Sequence, residues 1–375
     1  MASPSSSFLP VDSVNLSGKR VLVVPLRFVG DAVVTLPLLE TLKRQNPSAH
    51  LSVWCSAIGE QIFGASAAVD CCVKEPKTLK ERWERLREGR YDVVIILRKS
   101  VTMSLLCQWA GIPVRCGYDM QRFPSPVGFK RTGWGLTHVV NYPDDKTNRH
   151  QSWHHLQHYL ALVGSVVSDS SKPRNVSLPV LNISKEDEDA VKRLIKELTK
   201  ASTVEQNKPY VVLHGLSASA SKNMPLTVFN AVVRALAEHE QGFLVCATGT
   251  EQDKARLDDW IQGEQLPVLN VAGKTSLLQL TALLRGAAGL VGLDSGPVHL
   301  AGLMKTPVIA LYGQTNPVQW GPLGEDTEGS DLDSLVLASD FLPVSYSPDE
   351  SEALVGQRLL EAVQGYGLFS FCSHK

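Results

Sequence analysis

No apolar run in these 375 residues is long enough to cross a bilayer, so no membrane-spanning helix is expected. A surplus of charge of one sign is also missing: 37 Lys and Arg stand against 38 Asp and Glu. The formal net charge of −1 argues against a nucleic-acid-binding protein, although single loops can still be basic. The seven cysteines (Cys55, Cys71, Cys72, Cys107, Cys116, Cys246, Cys372) are odd in number and lack the paired spacing of a zinc site. They are expected as reduced, buried thiols of a cytoplasmic protein. Met1 to Pro10 is Ser-rich and carries no basic residue before a long apolar stretch, so a secretory signal is not expected. Residues 1–18 read as a flexible leader, with an organellar address left open. Two nucleotide signatures are absent as well. The Gly30 turn lacks the three-glycine dinucleotide fingerprint, which removes support for hydride chemistry, and the Lys222 loop lacks the GKS/T ending of a P-loop, which disfavours nucleotide hydrolysis.

What is present is alternation. Short apolar runs suited to buried strands take turns with helix-period segments through both halves, the pattern of parallel βαβ units. The length suits two domains. In the first half strands are expected at Val21–Leu26, Leu51–Cys55 and Asp92–Leu97, closed by Arg115–Tyr118, with helices at Leu36–Gln45 and Leu79–Glu88. In the second, strands are expected at Tyr210–His214, Phe243–Thr248, Leu269–Ala272, Leu290–Leu293 and Val308–Tyr312, with helices at Leu226–Glu238 and Leu277–Arg285. The stretch Ser165–Pro179 lacks an apolar period and is the linker candidate. The division is therefore 1–18, 19–175, 176–345 and a tail 346–375 whose helix, Ser351–Val363, is expected to pack back on the first half. Ser184–Leu198 runs from acidic to basic as a solvated helix should.

Polar residues gather where the expected strands end, which is where open α/β sheets bind ligands. After the first strand comes Arg27-Phe28-Val29-Gly30-Asp31, with Pro37 read as near a helix start. Asp31 is either a general base or a simple helix cap. After Val211–Leu213 comes His214-Gly215-Leu216-Ser217, then small residues up to Lys222; backbone N–H groups and one lysine there suit a phosphate, and a solvated loop lysine is the alternative. Gly249-Thr250-Glu251 offers a carboxylate for ribose hydroxyls, or ordinary first-turn decoration. Leu293-Asp294-Ser295-Gly296-Pro297-Val298-His299 reads as a capped helix start with Pro in its first turn, able to receive a phosphate. The run Asp331-Leu332-Asp333 is read as loop, not as a metal site.

Taken together, Gly30-Asp31, His214/Lys222, Gly249-Thr250-Glu251 and Asp294–His299 resemble glycosyltransferase family 9, the ADP-heptose:lipopolysaccharide heptosyltransferases and their relatives. The likeness extends over most of residues 19–325 and includes Leu97–Ser100, Gly111–Tyr118 and His155–Leu162. It implies an α/β, GT-B fold of two Rossmann-like domains facing across a cleft, acceptor on the first and nucleotide-sugar on the second. It also implies inversion without a metal, and no cofactor beyond the ADP-sugar donor. Asp31 would take the acceptor's proton, and Lys222 with the N–H groups of Ser295–Val298 would stabilise the leaving diphosphate. His214, Ser217, Asp294, Ser295, Gly296, Pro297 and His299 would line the donor site, and Glu251 would hold ribose. Arg98, Lys99, Arg122, Lys130 and Arg131 would meet an anionic, lipid-linked acceptor such as lipopolysaccharide core, which places the protein in the cytoplasm with peripheral contact at the inner membrane face. The sequence departs from the family at Ile96, where an acidic residue is frequent, and in the loop Gln121–Trp134. An epimerase of the same architecture and a binding module without catalysis are the competing readings.

Overall fold

A computed structural model describes residues 13–118, 134–140, 153–168, 175–201, 208–240, 242–330, 335, 337–338, 340–347 and 349–365. The chain forms two compact units, one drawn from Met1–Arg27 and Thr35–Pro179, the other from Phe28–Val34, Val180–Ser330 and Leu335–Lys375. Each is built on a six-stranded sheet. Apolar strands such as RVLVV and GLVGL, with almost every residue buried, are what a parallel sheet covered on both faces requires.

In the first unit the strands are β1 (Arg20–Val24), β2 (His50–Cys55), β3 (Cys71–Lys74), β4 (Val93–Ile96), β5 (Val114–Tyr118) and β6 (His138–Val140). Their order is β3-β2-β1-β4-β5-β6, every pairing parallel. Leu22, Val24, Trp54, Val94, Ile96 and Leu106 centre its core. The second unit carries β7 (Tyr210–His214), β8 (Leu244–Ala247), β9 (Val268–Asn270), β10 (Gly289–Leu293), β11 (Val308–Tyr312) and β12 (Phe341–Ser345), ordered β12-β11-β10-β7-β8-β9 and again all parallel. Val211, Leu213, Phe229, Val232, Val291 and Ile309 lie in its core. In each sheet the winding direction reverses once, between β1 and β4 and between β7 and β10. Crevices form outside the carboxyl ends of strands at such reversals.

Three strands lie beyond those the sequence announces, β3, β6 and β12, and all are edges. The helix expected at Leu36–Gln45 starts seven residues earlier and spans Val29–Gln45, so Gly30 and Asp31 occupy its first turn and Pro37 lies inside it. A proline there removes one helical hydrogen bond at a cost near 3 kcal/mol. Its neighbours Thr35, Leu36, Leu38, Leu39 and Leu42 are all fully buried, and the Thr41 hydroxyl donates to the Pro37 carbonyl at 2.6 Å, so packing overrides the local signal. The C-terminal helix, Glu352–Gly365, packs within the second unit, where the sequence suggested the first half; a Cβ at Gly356 would lie 3.0 Å from the Val228 carbonyl oxygen. Cys55, Cys107, Cys116 and Cys246 are buried free thiols, but Cys71, on the edge strand β3, is exposed. Cys372 and the Asp331–Asp333 run lie outside the described residues. Among the described residues no helix is long and apolar enough to cross a membrane.

Candidate active site

The site is assembled from four segments of the second unit. The strands β7, β8 and β10 each end in a polar loop, and the first turn of the helix Val29–Gln45 supplies the fourth. That turn meets the start of the helix Gly296–Leu303 through two glycines. A Cβ at Gly30 would lie 2.9 Å from Cδ2 and 3.3 Å from Nε2 of His299, and one at Gly296 would lie 2.8 Å from Cγ1 of Val29. Any Cβ at either position would force its neighbour to shift, so glycine is what lets two helix N-termini approach this closely.

Asp31 is buried at this junction and its Oδ2 accepts the Phe28 N–H at 3.1 Å. Burial pushes its carboxyl above the ordinary value of 3.8, while the Phe28 N–H and the positive charge of Lys222 work against that push. Lys222 closes a short 3₁₀ turn, Ala220–Lys222. The loop before it is braced by Asn223, whose side chain accepts the Ser217 N–H at 2.6 Å and donates to the Ser217 carbonyl at 2.9 Å. The Ser217 hydroxyl accepts the Ser219 N–H. The Lys222 ammonium donates to Asp294 Oδ2 at 2.6 Å and to the Asp294 carbonyl at 3.3 Å. The Asp294 side chain is 5% exposed and also accepts from the Thr315 hydroxyl at 2.5 Å. Asp294 is the dry partner of this ion pair, so losing Lys222 would strand a buried carboxylate.

Ser295 stands at the N-cap position, as expected, but does not cap: its hydroxyl donates back to the Leu293 carbonyl. The first-turn N–H groups of Gly296–Leu303 thus have no side-chain cap, and Pro297 is the buried first-turn proline. Anions are stabilised at such an end. His299 is buried and burial pushes it down to about 4, so it is neutral at pH 7. Its Nδ1 has no hydrogen-bond partner among the described residues, an orphan that buried polar groups rarely tolerate. His214 is likewise pushed down to about 4 by burial, and its Nδ1 has no hydrogen-bond partner among the described residues. Beyond β8, Glu251 lies against Gly273, where a Cβ would collide with its carboxylate, and Thr250 is held by Asp253.

Asp31, Lys222, Asp294, Ser295, Gly296 and His299 are therefore brought together, with Thr315 added. Thr315 lies in the polar loop after the expected strand Val308–Tyr312, but its partnership with Asp294 follows only from the pairing of β10 with β11. In the first unit, Arg98 is not a free loop arginine: its guanidinium bonds Glu75 at 3.0 Å, while Lys99 beside it is exposed. Arg122, Lys130 and Arg131 lie outside the described residues. Among the described residues no three His, Cys, Asp or Glu side chains gather as a metal site.

Comparison with known proteins identifies the family. The model of glycosyltransferase family 9 (heptosyltransferase) matches residues 80–335. Lipopolysaccharide heptosyltransferase 3 of Escherichia coli is 26% identical over 311 residues, covering 79% of this chain and 84% of that protein. Lipooligosaccharide heptosyltransferase 2 of Haemophilus ducreyi is 24% identical, covering 82% and 86%. Among solved structures, E. coli ADP-heptose lps heptosyltransferase II superposes with a TM-score of 0.69 at 21% identity, covering 94% of this chain and 99% of that one. A family 9 glycosyl transferase from Veillonella parvula gives 0.71 at 19%, covering 96% and 100%. With the matched span exceeding half its length and its two parallel sheets shared with solved heptosyltransferases, the chain belongs to glycosyltransferase family 9, the heptosyltransferases.

Proposed function

We propose that this glycosyltransferase moves a heptose from an ADP-linked donor to a hydroxyl of a saccharide acceptor, with inversion at the anomeric carbon. One observation carries the reading: a buried carboxylate, Asp31, is packed against the uncapped helix start Ser295–His299 and lies within the field of Lys222. A base beside a diphosphate cradle is what direct displacement needs. Asp31 removes the acceptor proton as that oxygen attacks the sugar's C1, and the C1–O bond to the diphosphate breaks. Lys222 and the N–H groups after Ser295 stabilise the charge that grows on the departing ADP, so no metal or cofactor is required for the step. Glu251, in the loop beyond β8, holds ribose in this reading, with His214, Ser217, Asp294 and Pro297 shaping the rest of the donor site. The ADP-heptose in the name of the E. coli relative supports the donor, and the lipopolysaccharide in several relatives' names supports the acceptor class. A lipid-linked acceptor would bring the protein to a membrane face as a peripheral guest.

Asp31→Asn tests the assignment. Transfer from ADP-heptose should fall by roughly 10²–10⁴-fold, the usual worth of a general base, while ADP binds as in the unaltered protein. Full turnover by this variant would move the role to another group. Donor turnover without any acceptor would favour an epimerase instead.

A further inference from the structure

Two thiols of the first unit lie side by side, and the displacement step uses neither. Cys55 ends β2, and Cys72 stands in the edge strand β3. The parallel register sets Cys72 opposite Val53, and Cys55 is two residues beyond Val53, so both cysteine side chains project from one face of the sheet. They meet there, with the Cys55 thiol donating a hydrogen bond to the Cys72 sulfur. Cys71 is turned to the opposite face by the alternation of the strand and is exposed. In the sequence Cys71 and Cys72 form a plain doublet; the pairing of β2 with β3 selects which of them faces Cys55.

The two partners differ as an attacking thiol and a resolving thiol must. Cys55 is 3% exposed, whereas Cys72 is half-buried at the sheet edge and open in part to solvent. The hydrogen bond from Cys55 holds the Cys72 thiol below its ordinary value of 9.0, against its own burial and the Glu60 carboxylate, and the same bond pushes Cys55 up. Cys107 and Cys246 show the contrast. Burial pushes both up to about 12, where a cysteine packs as a small hydrophobe and is inert. Cys72 thus has the thiolate character that attack requires, and a second sulfur already touches it to displace whatever that attack leaves behind. Packing alone does not explain a sulfur left partly in solvent at a sheet edge. The pair also sits where β3 leaves the sheet, since the Cys55 carbonyl accepts the Glu75 N–H at 2.9 Å.

We propose that Cys55 and Cys72 form a reversible dithiol–disulfide site that a peroxide closes and a thiol reductant reopens, with Cys72 the attacking sulfur and Cys55 the resolving one. With hydrogen peroxide, the Cys72 thiolate attacks one oxygen, the O–O bond breaks, and the departing hydroxide takes up a proton to leave as water, which makes Cys72 a sulfenic acid. The Cys55 sulfur then attacks the Cys72 sulfur. An S–S bond forms, the S–O bond breaks, and the hydroxide leaves with the Cys55 proton as a second water. Two thiols are oxidised to one disulfide and one peroxide is reduced to two waters. The bond would tie the edge strand β3 covalently to β2.

Peptide mapping of the full chain tests this. The protein is treated with hydrogen peroxide, unfolded in an alkylating reagent and digested, and the cysteine peptides are identified by mass spectrometry. The Cys55 and Cys72 peptides should appear joined in most chains, and separate and alkylated after a thiol reductant. Cys71→Ser, a change at an exposed side chain, should leave that linkage intact, whereas Cys72→Ser should abolish it and leave Cys55 a free thiol. Cys55→Ala removes both the hydrogen-bond donor and the resolving sulfur, so Cys72 should react with peroxide about five-fold more slowly and end as sulfinic acid instead of disulfide. Should that buried change prevent folding, the map of the unaltered chain decides by itself. Both thiols still alkylated once peroxide has oxidised Cys71, or a linkage through Cys71 in place of Cys55 to Cys72, overturns the proposal and leaves the pair as packing. No transfer is measured, so the result stands or falls apart from the roles given to Asp31 and Lys222.

Discussion

At the residue scale the site rests on a carboxyl group that the fold destabilises when charged. Asp31 titrates above 3.8 because burial penalises its anion, so its protonated form is the one folding favours. That contribution to stability is present below about pH 3.8 and is lost as pH rises through the raised native value. At neutral pH the ionised Asp31 is a net cost, and Asp31→Asn, inactive in transfer, should melt at or above the temperature of the unaltered protein. A clearly lower midpoint in a thermal melt would mean that the carboxylate is structural. Lys222 holds the same carboxyl down, so Lys222→Met should move the acid limb of kcat/KM to higher pH, besides lowering the rate by roughly 10²-fold for a lost diphosphate contact. An acid limb that stays in place would disconnect the two groups. Asp31 and Lys222 were legible in the sequence because each follows a recognisable buried strand. The loop after Val308–Tyr312 was legible on the same ground, but the bond from Thr315 to Asp294 was not, since it arises only where β10 and β11 become neighbours.

At the scale of elements, the decisive feature is the close approach of the helix starts at Val29 and Gly296. Gly296→Ala adds one methyl group where Val29 Cγ1 already stands 2.8 Å away, so the helices must separate by a few tenths of an ångström. Overpacking of this kind costs about 1–3 kcal/mol. The variant should melt lower, and it should lose kcat more than ADP affinity, because it displaces Asp31 relative to the cradle without removing a donor contact. Unchanged kcat would show that the spacing is not catalytic. The sequence reading put Asp31 in a loop before a helix at Leu36–Gln45, and the helix instead begins at Val29. Pro37 looked like a first-turn proline, and the helix nonetheless runs through it because the surrounding leucines are buried. The edge strands escaped notice for a related reason. β3 buries only Val73 fully, β6 has three residues, and β12 carries Pro343, which an edge tolerates and a central strand would not. β9 is an edge as well, yet it was announced, because Leu269 and Asn270 are buried and Val271 and Ala272 after it are fully so.

For the whole molecule, the repeated βαβ alternation was enough to announce two sheets of one type, because each buried strand leaves its own apolar run. The strand order was not legible, since it is decided by which runs pair, and order is what sets both reversal points. Each unit has a core of its own, with Trp54 and Leu106 in one and Phe229 and Val232 in the other. All the residues proposed to hold ADP, from His214 to His299, belong to the second. A ligand that binds only the folded form of one unit stabilises that unit alone, by about 2.7 kcal/mol at a hundred-fold excess over Kd. Calorimetric unfolding should therefore depart from two-state behaviour, and ADP should raise the upper or lower transition belonging to the second unit while leaving the other in place. Lys222→Met, which removes the cradle's cation, should reduce that ADP-dependent shift. A single transition that ADP moves as a whole would show instead that the two cores unfold together.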